Sequence, residues 1–181
     1  DLDYALELTM TSRAAREQGH QRALMRVLLD AGAKPTRDAI VAGAAYRELD
    51  AIRALLDGGL AMTAPIAAAL GEEELLRALL AEADRDDAQT AFGLAVLNGR
   101  CESARLALDA GADVDAPLPV HTYSTALHQT ALDDDAPLIE LLRSRGARTD
   151  RRDAIWNGTP LDWAIYFNRA NARAALERAE G

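Results

Sequence analysis

The sequence predicts an all-α fold, a helical-repeat solenoid of about six helix pairs, and three observations carry that reading. A leucine-rich helix end closed by glycine recurs as Leu28-Leu-Asp-Ala-Gly-Ala33, Leu55-Leu-Asp-Gly-Gly59, Leu106-Ala-Leu-Asp-Ala-Gly-Ala-Asp113 and Leu141-Leu-Arg-Ser-Arg-Gly-Ala147. Leu79-Leu-Ala-Glu-Ala-Asp84 is a version without the glycine. Apolar positions such as Val96 and Leu106 fall on stripes of helical period. The chain is 49% hydrophobic but only 4% aromatic, so its core is built from Ala, Leu, Ile and Val in close-packed helices. Units this short bury their apolar faces only against neighbours.

Taken in order, the chain reads as one domain over 1–181 with repeats at 1–35, 36–62, 63–86, 87–116, 117–150 and 151–181. The first pair of helices is expected at 2–17 and 21–30, its long opening helix atypical as a terminal cap is. The second is expected at 37–45 and 48–57, and the third at 64–70 and 73–82. The clearest pair is 90–97 with 102–110. Helices at 124–132 and 136–145 follow, Pro137 suiting a first turn. Helices at 159–167 and 170–179 close the stack, the last one offering an Arg- and Glu-bearing outer face. Any strand would be confined to the two long connections.

Thr159-Pro160-Leu161, Thr125-Ala126-Leu127-His128, Gly19-His20, Gly99-Arg100 and the leucine–glycine endings together resemble the ankyrin repeat, whose pattern runs Asp-x-x-Gly-x-Thr-Pro-Leu-His and ends Leu-Leu-x-x-Gly-Ala-Asp. The resemblance covers nearly the whole chain and is strongest from Asp87 to Arg169. Each piece has a physical task. Thr at the N-cap accepts a backbone N–H, and Pro at the first helical position gives up a donor that has no partner there anyway. Glycine after the second helix takes the left-handed conformation that ends it. The closing positions Gly32, Gly59, Ala83, Gly111 and Gly146 lie 27, 24, 28 and 35 residues apart, against about 33 in a standard unit. Units two to four have lost most of the connecting hairpin. Only the fifth has an extended connection, Ala116-Pro-Leu-Pro-Val-His-Thr-Tyr-Ser124.

Composition narrows the function. A net charge of −9 argues against nucleic acid, which is held by clustered positive charge, and permits a basic protein partner. The single cysteine, Cys101, allows no intramolecular disulfide, which favours a reducing cytoplasm. It opens a second helix and reads as a small, part-buried residue rather than a nucleophile. The longest apolar run, 60–70, is too short for a bilayer and contains Pro65. No secretory signal is visible, and since the chain opens on Asp1 a leader ahead of it is left open. One lysine against nineteen arginines, with abundant alanine, points to a bacterial genome of high GC content.

Candidate site residues gather in the last third. The resemblance implies a concave face lined by loop tips and by the two residues before the Gly-His position: Leu97 and Asn98, Leu132 and Asp133, Tyr166 and Phe167. The connections add His121, Tyr123, Ile155, Trp156 and Asn157. In a chain so poor in aromatics, Tyr123, Trp156, Trp163, Tyr166 and Phe167 make an aromatic-walled pocket for a peptide or small molecule. His128 sits where the family's histidine bonds loop backbone or the capping Thr, and Trp163 reads as core or cap. Asp133-Asp134-Asp135 resembles a metal site, but acidic residues before a helix complement its dipole, so no metal is expected, and no cofactor motif is present.

Two functions are compatible with these residues. One is a non-catalytic module gripping a protein on the concave face and the 116–124 loop. The other is a cofactor-independent enzyme or small-molecule binder of the dehydration, addition or isomerisation type, with Tyr123 and His121 as general acid and base beside Trp156 and Tyr166. A 116–124 loop folded over Trp156 and Tyr166 favours the second; one extended outward favours the first.

Overall fold

In a computed structural model, residues 1–178 are described, and they form thirteen α-helices with no strand among them. The stretch expected as one helix over 2–17 is two, α1 (Leu2–Met10) and α2 (Arg13–Glu17). Ser12 breaks it: its hydroxyl accepts the Ala15 N–H at 3.2 Å, restarting the helix as an N-cap. The chain continues through α3 (Gln21–Asp30), α4 (Arg37–Ala45), α5 (Leu49–Asp57), α6 (Ala64–Leu70) and α7 (Glu73–Leu80). Then come α8 (Arg85–Leu97), α9 (Cys101–Asp109), α10 (Ala126–Leu132), α11 (Ala136–Ser144), α12 (Pro160–Tyr166) and α13 (Ala170–Glu177).

Most ends lie within a residue or two of expectation, and α8 is the exception. It starts at Arg85 rather than at residue 90 because the Asp84 carboxylate caps it, accepting from Asp87 N–H at 2.8 Å. Asp86 and Asp87 in its first turn complement the helix dipole. Ala83 does not take the closing-glycine role: it has no left-handed φ. A Cβ disfavours that conformation, and Asp84 begins the next helix instead. The end of the last expected helix, residue 179, lies outside the described residues.

The first helix of every pair ends alike. Gly19, Arg47, Gly71, Gly99, Asp134 and Asn168 all have positive φ, and in each case the next residue's N–H donates to a carbonyl five residues back, as Arg100 to Ala95 at 2.9 Å and Asp135 to Thr130 at 3.0 Å. Second helices close the same way at Gly32, Gly59, Gly111 and Gly146. This six-to-one bond satisfies carbonyls the helix itself leaves free. Asp and Asn tolerate the left-handed region, but an arginine there costs on the order of 1 kcal/mol.

Successive helices pack on one another: α6 on α8, α8 on α10, α10 on α12, with α7, α9, α11 and α13 touching in turn. The buried core runs continuously through Leu6, Ile52, Leu55, Leu76, Phe92, Leu127, Leu138 and Leu142. One departure from a regular stack matters. α6 is short and almost wholly buried, and α4 passes beside it to touch α8. Asn98 Nδ2 donates to the Ala44 carbonyl at 2.9 Å, Arg47 Nε to the Leu97 carbonyl at 2.6 Å, and Arg37 pairs with Asp87 at 2.7 Å. No helix among the described residues is long and apolar enough to cross a membrane.

Candidate functional site

Asp153 organises the connection before α12. Buried itself, it accepts the N–H groups of Ile155 (2.8 Å), Trp156 (2.7 Å) and Gly158 (2.8 Å) and the indole N–H of Trp163 (3.0 Å). Burial alone pushes its carboxyl pKa up, but these bonds, Trp156 foremost, bring it down to about 2. His128 locks the same connection from α10. Its Nδ1 accepts the Thr125 N–H at 3.2 Å, so the proton sits on Nε2, which donates to the Gly158 carbonyl at 3.0 Å. Burial lowers the His128 pKa, partly offset by that carbonyl and by Asp153, and the ring is neutral. Fully buried, it offers no surface to a ligand; its place is the scaffold, as the resemblance implied, rather than the binding face.

On that scaffold lies an open cleft of about 570 Å³ lined by Trp156, Asn157, Gly158, Asp162, Trp163, Tyr166 and Phe167. Its rings meet edge to face: Trp156 on Trp163 with centroids 5.4 Å apart, Trp163 on Phe167 at 6.0 Å, Phe167 on Tyr166 at 5.0 Å. Trp163 is buried, while Trp156 and Tyr166 stand 63% and 83% exposed. Thr159 and Asp162 form a capping box at the start of α12, and the Thr159 N–H and hydroxyl, both donating to Asp162, lower its carboxyl pKa. Arg152 edges the cleft, donating to the Asn157 carbonyl at 2.6 Å and lying 4.0 Å from Asp162.

His121 belongs to a different hollow, of about 210 Å³, lined with it by Ala45, Tyr46, Arg47, Leu97, Gln129 and Asp133, and Tyr123 lines neither space. The 116–124 loop neither covers Trp156 nor projects outward. Leu118 is buried in the core, and Pro119 lies against Gly93 of α8. His121 then stands edge-on to both Tyr46 and Tyr123, its Nδ1 3.2 Å from the Tyr123 hydroxyl. Burial lowers the His121 pKa, and the nearby Asp133 carboxylate partly offsets this. Thus Trp156, Asn157, Tyr166 and Phe167 share the cleft, His121 and Asp133 line the hollow with Tyr123 behind His121, and Asn98 ties α8 to α4 between helices.

The three aspartates divide their work. Asp133 pairs with Arg47, Asp134 accepts from Ala172 N–H and Asn171 Nδ2 at 2.8 Å each, and Asp135 caps α11 through Leu138 N–H at 3.0 Å. No cluster able to hold a metal occurs among the described residues. Cys101 is half-buried, and burial, Asp135 and Glu102 all push its thiol pKa up. Sequence reasoning missed Asp153, Asp162, Tyr46 and Arg47. Asp162 falls where the pattern has histidine, and Asp153 lies one residue too far from Thr159 to match the pattern's aspartate. Tyr46 precedes Arg47, which holds the turn position that glycine has in other units, so the rule used for the later units points to Tyr46; the α4–α8 contact brings both to the hollow.

No family model matches the chain. It is 41% identical over 66 residues to the mouse ankyrin repeat and SOCS box protein 6, covering 36% of this chain and 16% of that protein. The human protein of that name matches at 41% over the same length, 15% of its own chain. The tRNA pseudouridine synthase D of Vibrio campbellii is 29% identical over 102 residues, 52% of this chain and 29% of the enzyme. The matched stretches thus span less than a third of each relative's length. Partial similarity to an ankyrin-repeat protein, together with an all-helical structure, fits a repeat protein.

Proposed function

We propose that this chain is a non-catalytic protein-binding module, an ankyrin-like repeat solenoid, that anchors its partner in the aromatic cleft at the start of α12. One observation carries the reading: Trp156, Tyr166 and Phe167 converge on a single open cleft, supported from below by buried Asp153 and His128. Exposed aromatics on a rigid base, rimmed by Asp162 and Arg152, have the make-up of an interface hot spot. The similarity to a protein named for its ankyrin repeats supports a protein partner. The net charge of −9 favours a basic protein over RNA, and the lone cysteine suits a reducing compartment. The inner face near Asp133 and the 116–124 loop would add a second contact. An acid–base enzyme has less support, since it needs His121 and Tyr123 around the cavity of Trp156 and Tyr166, and neither lines that cleft.

The test is a peptide-display selection on the purified chain, followed by affinity measurements on single variants. Trp156→Ala and Tyr166→Ala should each weaken the selected binders by about 30-fold, the equivalent of about 2 kcal/mol, with the melting temperature kept. Binders indifferent to both substitutions would place the interface elsewhere and end this reading.

A further inference from the structure

The electrostatics of the cleft are set from beneath it. Asp153 holds its negative charge through four N–H donors, and no lysine or arginine forms an ion pair with it among the described residues. A buried charge without a counter-ion keeps its field in its surroundings, and low local polarisability strengthens that field. Here the surroundings are the aromatic floor. The Trp163 indole donates straight to Asp153, so the carboxylate adds electron density to a ring whose faces are already negative. Asp162 contributes a second carboxylate to the wall, but Arg152 stands beside that one. The uncompensated charge is therefore that of Asp153, directly below Trp163, which packs against Trp156 at 5.4 Å.

We propose, resting on the binding-module reading, that the occupant of this cleft is the guanidinium of an arginine in a basic partner segment, stacked on the rings of Trp156 and Tyr166 above unpaired Asp153. A guanidinium is planar and weakly hydrated, so it stacks on an aromatic face at lower desolvation cost than an ammonium. The acidic chain, with a pI near 4.8, draws such a segment in over longer range. An apolar anchor would fill the same volume but would gain nothing from the buried charge.

Both tryptophans of the chain line the cleft, so tryptophan emission, excited selectively, reads this site alone. The whole chain is titrated with N-acetyl-arginine amide, with its uncharged isostere N-acetyl-citrulline amide, and with N-acetyl-leucine amide. The expected result is a saturable change in emission with the arginine compound, about tenfold tighter than with citrulline and weakened by salt. Trp156→Leu, which keeps apolar bulk and loses the π face, should reduce arginine binding about tenfold, read through Trp163. Leucine binding and the melting temperature should be unchanged by it. Equal affinity for arginine and citrulline, a tighter leucine compound, or no saturable change with any of the three overturns the assignment. None of those results touches the binding-module reading, which is decided by the selected peptides and the Trp156→Ala and Tyr166→Ala variants.

Discussion

Replacing Asp153 by Asn should be among the costliest single-atom exchanges in this protein. The asparagine keeps one acceptor oxygen for the Ile155 and Trp156 N–H groups. It turns an amide NH2 towards the Gly158 N–H and the Trp163 indole, which now bond Oδ2 at 2.8 and 3.0 Å. Two buried donors then face a donor. At roughly 1–3 kcal/mol for each unmet group, the loss is about 2–6 kcal/mol at neutral pH. The depressed carboxyl pKa, which those same bonds cause, gives a second figure. The carboxyl sits at about 2 in the folded chain against an ordinary 3.8, which corresponds to about 2–3 kcal/mol. Because the folded value is the lower one, that contribution is fully present above the unfolded value and is lost as pH falls from about 5 towards 2. Urea denaturation followed by tryptophan emission at pH 7, 5, 4 and 3 should show the variant far less stable at pH 7. The gap should close progressively in acid. Wild-type and variant curves that run parallel across this range, or a loss below about 0.5 kcal/mol, would refute the reasoning.

Other substitutions test the packing. Leu142→Ala, at a fully buried position, should cost about 2–5 kcal/mol in chemical denaturation, and Leu141→Ala, half-buried beside it, distinctly less; the reverse order would mean α11 presents another face to the core. Gly93→Ala improves helix propensity, yet its Cβ would lie 2.5 Å from Pro119 Cδ, so a lowered melting temperature is expected, and a raised one would show that the 116–124 loop does not rest on α8. Arg47→Ala and Arg47→Gly both lose the bonds to Leu97 and Asp133, but only glycine relieves the left-handed backbone. The glycine variant should therefore be about 1 kcal/mol the more stable, and equal stabilities would remove strain from the account of that turn.

What was legible in the sequence was whatever depends on neighbours in the chain. The Leu-Leu-x-x-Gly endings, the Thr125 and Thr159 openings and the apolar stripes placed nearly every helix, because caps, closing turns and helical period are local physics. The misreadings were local competitions resolved the other way: Ser12 capping a new helix inside 2–17, and Asp84 starting α8 early. The candidate site was half legible. Scarcity of aromatics singled out Trp156, Tyr166 and Phe167, and they do share a cleft. The grouping of His121 and Tyr123 with them was not readable, since it depends on where the 116–124 loop lies. Nothing in a one-dimensional pattern says that Gly93 leaves room for Pro119, or that Tyr46 and Arg47 wait at the other side.

The shortened intervals and the position of the cleft have a common cause. Where the spacing between closing residues falls to 27 and 24, no hairpin separates successive pairs, α6 sinks into the core, and α4 closes onto α8 through Asn98, Arg47 and Arg37. That side of the molecule uses its polar groups on itself. Long connections survive only before α10 and α12. The first is held down on α8 by buried Leu118, and its His121 goes to the small hollow with Tyr123 packed on it. The second is held by Asp153 and His128 from inside, so its outer side chains, Ile155 and Trp156, are left mostly exposed. A mostly exposed tryptophan on a loop held by buried hydrogen bonds loses little entropy when a partner covers it. This is why the binding reading settles on the α12 cleft rather than on the inner face of the earlier helices.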